Sequence, residues 1–148
     1  MYFEDVIKLN SDNGDFICFE IEEITCFPHS QDIDGYSIMC TLKINAGCYK
    51  VEKERYDTSA GAFMRFKEEL EKCYKNLCGK ASFFNFYLEN DDLNFCVEMT
   101  KNGHAIISGE YKESFEKCNC LRFEFKTDQT YILHTIEDLK RIQAKYDL

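Results

Sequence analysis

The chain has 148 residues, 45% of them hydrophobic and 15% aromatic, which is enough to bury a core and too apolar for disorder. Its formal charge of −9 and pI near 4.8 argue against nucleic acid or an anionic membrane surface as a direct partner, because phosphate binding needs clustered Lys and Arg. The same charge permits a basic protein partner, whose approach an acidic surface would steer. No apolar run is long enough to span a bilayer, and MYFEDVIKLN has neither the basic nor the apolar region of a signal peptide. The expectation is one domain over residues 1–148, cytoplasmic, and a monomer or weak dimer. The nine cysteines are odd in number and irregular in spacing, so they read as reduced thiols used as small core hydrophobes.

In chain order, residues 2–8 read as a first strand, followed by a dense turn cluster at residues 10–15 that contains Asn13-Gly14, a hairpin signal. Ile17, Phe19 and Ile21 alternate with Cys18, Glu20 and Glu22, and the doubled Glu22-Glu23 shifts the phase as a bulge would. Residues 27–35 hold the chain's one proline and read as a loop. Residues 36–45 form the most regular strand, with Ile38, Cys40, Leu42 and Ile44 on one face, and Ala46-Gly47 turns it into another at residues 48–56.

A helix over about residues 59–78 follows. Thr58 or Ser59 can cap it, Phe63, Phe66, Leu70, Cys73 and Leu77 form its apolar stripe, and Gly79 stands where a left-handed residue would end it. Glu68 and Glu71 are spaced to pair with Lys72 and Lys75. Residues 81–88, 93–99 and 104–111 read as three strands, the last two joined across Asn102-Gly103, with a charged connection at 113–119. Leu121, Phe123 and Phe125 alternate in a final strand. After a polar break at 126–129, Ile132, Ile136, Leu139, Ile142 and Tyr146 mark a helix over about 130–146. The sum is an α+β domain, an antiparallel meander of about eight strands with two helices packed on it, and no internal repeat is evident.

Little of this carries chemistry. Cys118-x-Cys120 and Cys26-x-x-His29 could supply four zinc ligands, but the paired CxxC spacing of such sites is absent and all four border strands. Cysteines and the histidines His29, His104 and His134 offer imaginable pairs, yet there is no nucleophile elbow or Gly-rich oxyanion loop. Asp32-x-Asp34-Gly35 lacks the remaining ligands of a calcium loop. Phosphate-loop and dinucleotide fingerprints are absent too. The acidic pairs read as solvated loop charge, and at DQTY, Thr127 or Asp128 reads as a helix cap.

LRFEFKTDQTYI followed by an amphipathic helix resembles the C-terminal signature of the WapI-like immunity proteins of bacterial polymorphic toxin and contact-dependent inhibition systems. The spaced Phe and Leu of FMRFKEELEKCYKNLCGKA, the three strands after it and the order of elements agree from Tyr36 onward, and the first 35 residues agree only generically. Members of that family often carry Trp where Tyr36 stands, and this chain has no Trp. The resemblance implies a non-enzymatic protein without cofactor or metal, which binds and neutralises a cognate toxin domain, expected to be a basic nuclease, by occlusion. The acidic residues Glu22, Glu23, Asp32, Asp34, Glu89, Asp91 and Asp92 are the expected contact set. A cytosolic adaptor module, or a small enzyme with a ligand-shaped pocket, are the alternatives.

Overall fold

A computed structural model describes residues 5–25, 35–85, 92–114 and 117–148, with the side chains of residues 114, 117 and 118 outside that description. Its elements are β1 (Val6–Asn10), β2 (Phe16–Thr25), β3 (Ser37–Ala46), β4 (Tyr49–Ser59), α1 (Ala60–Asn76), β5 (Lys80–Phe84), β6 (Leu93–Met99), β7 (His104–Ser114), β8 (Lys117–Asp128) and α2 (Gln129–Tyr146). Two antiparallel four-stranded sheets result, β1-β2-β3-β4 and β5-β6-β7-β8, each followed by a helix. This is the α+β meander that the periodicities predict. Ile38, Cys40, Leu42 and Ile44 are buried on β3, and Leu93, Phe95, Val97 and Met99 on β6, because a period of two puts one face of each strand against the core.

The boundaries differ from expectation where a strand meets a helix. No polar break separates β8 from α2. Asp128 ends the strand with extended backbone (φ −147°, ψ 175°), and its carboxylate accepts from the N–H groups of Thr130 and Tyr131 at 2.9 and 3.2 Å. Ser59 does the same for α1, accepting from Ala62 N at 3.3 Å. A helix cap needs extended backbone, so the last strand residue can serve as the cap and no loop is required. At the other end of α1 the left-handed residue is Leu77 (φ 53°), with Gly79 a second one two residues on (φ 97°). That geometry swings Leu77 off the apolar stripe, and it is 45% exposed. The charged connection at 113–119 is shorter than predicted, because β7 runs on to Ser114 and β8 starts at Lys117.

The chain follows the same path twice. Val6 pairs with Glu20 and Lys80 with Glu98, which makes β1-β2 and β5-β6 equivalent residue by residue. Ile21 N donates to Asp5 O at 2.8 Å, as Met99 N does to Gly79 O at 2.9 Å. Ala60 N donates to Tyr36 O and Gln129 N to Gly103 O, both at 2.8 Å, where each helix begins. Side chains hide this duplication in the sequence, since Leu9 and Ile17 of one half correspond to Phe83 and Phe95 of the other.

Each helix packs on the first strand of the opposite half, α1 on β5 and α2 on β1, and the helices pack on each other. The fit is backed by hydrogen bonds to the outer edges of those strands. Lys8 N donates to Asp138 Oδ2 at 3.1 Å, and at the equivalent place Ser82 N donates to Glu69 Oε1 at 3.3 Å. On β1, Thr135 Oγ1 donates to Lys8 O and Thr127 Oγ1 to Asn10 O, at 2.8 and 2.7 Å. Side chains of the two helices, with Thr127 at the end of β8, thus satisfy edge groups that would otherwise be free to pair with another strand.

Between the sheets lies an aromatic cluster from both halves. The Phe83 ring centroid is 5.4 Å from Phe19, 5.2 Å from Phe63, 6.3 Å from Phe66 and 5.1 Å from Phe95, stacked on the last. Truncating Phe83 to Ala opens a cavity with four aromatic walls and is expected to cost about 3–5 kcal/mol in urea unfolding. Asp138→Ala, which leaves the Lys8 N–H without its charged acceptor, is expected to cost about 1.5–3 kcal/mol by the same measurement.

Candidate functional site

The sequence alternation of β2 turns Ile17, Phe19 and Ile21 inward and Phe16, Cys18 and Glu20 outward. The register with β3 slips between Ile21 and Glu23, so Glu22 is the extra residue of the bulge expected there. A second slip on β3-β4 leaves Glu54 and Arg55 both opposite Thr41, with Arg55 in left-handed backbone (φ 54°). The two bulges therefore stand against neighbouring residues of β3, Cys40 and Thr41. Bulges re-aim side chains and sharpen local twist, and here Thr41 Oγ1 donates to the exposed Glu22 carboxylate.

The outer face of this sheet forms an open groove of about 670 Å³, lined among others by Asp5, Lys8, Phe16, Cys18, Glu20 and Glu22. Lys43 bridges to Glu20 from β3, and Lys8 sits over the Phe16 ring at 4.5 Å. Hydrogen bonding to Glu20 raises the Lys43 ammonium pKa further. Cys18 on the groove floor is nearly buried, and burial, followed by the Glu20 charge, pushes its thiol to about 11. At neutral pH it is a protonated thiol, a poor nucleophile. The arrangement offers shape, an apolar floor and carboxylates for recognition.

The expected contact residues divide three ways. Glu22 and Glu23 are exposed around the bulge, Glu23 accepting from Thr25 Oγ1 at 3.4 Å. Asp32, Asp34, Glu89 and Asp91 lie outside the described residues. Asp92 belongs to the joint between the halves. Its Oδ1 accepts from the buried Tyr56 hydroxyl at 3.1 Å and from Asn85 Nδ2 at 2.9 Å, while the same Asn85 amide reaches Asp57 O. Burial raises the Asp92 pKa and the two hydrogen bonds oppose that rise. Buried tyrosines need a partner for the hydroxyl, but Tyr56 was silent in the sequence because no periodicity joins it to residue 92. Asp5, Glu20 and Lys43 are groove residues that the sequence reading did not single out, although Glu20 shares the outward phase of Glu22 on β2.

Cys26 and His29 also lie outside the described residues, as does the Cys118 side chain; Cys120 is exposed, with Sγ 4.0 Å from Glu110 Oε2. Among the described residues no group of three or more His, Cys, Asp or Glu side chains could hold a metal ion. Nor is any helix there long and apolar enough to cross a membrane.

Residues 8–147 match the model of the immunity protein WapI-like family, and the chain belongs to that family. It is thus an immunity protein, a non-enzymatic class. The comparison with curated proteins returns no match. Among solved structures the chain is similar to one described as the CdiA-CT/CdiI toxin and immunity complex from Enterobacter cloacae, at 10% identity and a TM-score of 0.45, covering 82% of this chain and 98% of that one.

The Asp92 geometry has a consequence for stability against pH. A carboxyl whose folded pKa is raised binds more protons in the folded than in the unfolded state between the two values, so its unfavourable contribution grows as pH rises through the folded pKa. Asp92→Asn keeps an oxygen acceptor for Tyr56 and Asn85 and removes the charge. It is expected to match or exceed the parent melting temperature at pH 7 and to lose that advantage in acid. Asp92→Leu strands both donors and is expected to melt lower at every pH.

Proposed function

We propose that the chain neutralises the toxic C-terminal domain of a polymorphic toxin by binding it in the cytoplasm of the cell that makes it, and that the toxin is a basic nuclease. The observation that carries this reading is the family match over residues 8–147. Charge supports the type of partner. Residues 1–4, 26–34, 86–91 and 115–116 hold Glu4, Asp32, Asp34, Glu89, Asp91 and Glu116 and no Lys or Arg, so part of the acidic excess sits in stretches of sequence without a basic residue. With Glu22 and Glu23 at the β2 bulge, such carboxylates can occupy the place of a nucleic-acid backbone against Lys and Arg of a nuclease.

Recognition would then be an interface of roughly 1,200–2,000 Å² whose apolar anchors supply affinity and whose acidic rim supplies steering. The groove beside Glu22, with Phe16 and Cys18 on its floor, is the place proposed for one such anchor. No covalent step is involved, and the toxin is blocked for as long as the complex lasts.

Co-expression with the product of the neighbouring upstream gene tests the reading. Rescue from growth arrest and a stable 1:1 complex on size-exclusion chromatography are expected. An upstream product that is not toxic and forms no complex would leave an adaptor module in its place. Charge reversal at Glu22, Glu23, Asp32, Asp34, Glu89 and Asp91, with Asp92 kept for its structural role, is expected to weaken toxin binding about tenfold or more. It should also flatten the salt dependence. Unchanged affinity and salt slope would reject this surface while leaving immunity intact.

A further inference from the structure

α1 and α2 lie against each other, and the seam between them on the outside of the molecule is a second open groove, of about 470 Å³. Its polarity is opposite to that of the whole chain. Lys67, Lys72, Lys75 and Lys140 line it against two carboxylates, Glu68 and Glu71. Of these, Glu71 is already taken, since Lys67 Nζ stands 2.8 Å from its Oε1. That pairing replaces the one expected between Glu71 and Lys75. Lys72, Lys75 and Lys140 make no ion pair among the described residues, and all three are exposed. Tyr74, Leu133 and the buried Ile136 supply an apolar floor.

The spacing matters as much as the charge. On α1 two adjacent rows at helical spacing line the seam, Lys67, Glu71 and Tyr74 beside Glu68, Lys72 and Lys75, and on α2 one row does, Leu133, Ile136 and Lys140. A groove with an apolar floor between two helices matches an amphipathic helix with anchors at i, i+3 or i+4 and i+7. Three unpaired ammonium groups on its rim call for carboxylates flanking those anchors.

We propose that the α1-α2 seam is a docking site for an acidic amphipathic helix of a protein partner. This goes beyond the immunity reading, since the seam shares no lining residue with the groove beside Glu22 and selects for the opposite charge. A second copy of the chain does not fit, because a two-fold pairing through the seam would set two lysine rims against each other. A nucleic acid or an anionic bilayer fits less well, because a chain of charge −9 repels an extended polyanion, whereas a single short helix meets only the local rim.

Fluorescence anisotropy with a labelled 18-residue helical peptide, leucines on one face and glutamates beside them, tests the proposal. Controls are the same peptide with lysines for glutamates and a scrambled sequence of the same composition. Saturable binding at least about tenfold tighter than either control is expected, with a further loss at raised salt. The combined variant Lys72→Gln, Lys75→Gln, Lys140→Gln should weaken binding about tenfold, and Leu133→Asp should abolish it, both with the parent's circular dichroism spectrum. Absence of binding, equal binding of the lysine peptide, or binding indifferent to the lysine variant would each overturn the proposal. So would tighter binding of a single-stranded DNA oligomer or of phosphatidylglycerol vesicles at the same lysines, which would assign the seam to a polyanion or a lipid surface.

Discussion

The structure depends on the burial of aromatic rings between two sheets that share no strand ladder among the described residues. Phe19 comes from β2, Phe63 and Phe66 from α1, Phe83 from β5 and Phe95 from β6, so the cluster draws on both halves at once. Each ring removes roughly 150–250 Å² from water and gains from edge or offset contact with its neighbours. Without them each half is a meander with one greasy face. The Tyr56-Asp92-Asn85 network adds direction to that burial, since it fixes β4 against the approach to β6 by hydrogen bonds that tolerate little displacement.

Reciprocity of the helices solves a second problem, the sheet edges. β1 and β5 are first strands with one ladder partner, and each receives the helix that ends the opposite half. Asp138 and Glu69 stand at equivalent places and accept the outward N–H of Lys8 and Ser82. The last strands, β4 and β8, also have one ladder partner among the described strands. They carry exposed charges there instead, Lys50, Glu52, Lys53, Glu54 and Arg55 on β4, and Arg122, Glu124 and Lys126 on β8. Charge on an edge strand discourages adventitious pairing with another chain. One pair of edges is covered and the other is charged.

Electrostatically the molecule is not uniform. Among the described residues, Glu22 and Glu23 stand exposed at the β2 bulge, while Lys67, Lys72, Lys75 and Lys140 line the helix seam. Net charge alone therefore describes long-range steering but not the local preference of a given surface, because screening confines each side chain's influence to about 8–10 Å at physiological ionic strength.

Local signals determined most of the architecture. Period-two alternation in β3 and β6, the 3–4 spacing of Phe63, Phe66, Leu70 and Cys73, the doubled Glu22-Glu23 and the strand-DQTY-helix string placed strands, helices, one bulge and the family, since each depends on neighbours within a turn or a pleat. Element ends were less legible. A strand residue that doubles as a cap, as Ser59 and Asp128 do, carries no loop signal, and Leu77 in left-handed backbone runs against the preference for glycine. Of the expected contact residues, Glu22 and Glu23 stand exposed where the doubled Glu shifts the phase of the strand, whereas Asp92 is turned into the joint by Tyr56 and Asn85, one 36 residues away along the chain. The duplication, the crossing of each helix to the other half and the lysine seam were decided only by tertiary structure. They rest on contacts between residues as far apart as Lys8 and Asp138, and a sequence records such contacts in no local pattern because only packing brings the two together.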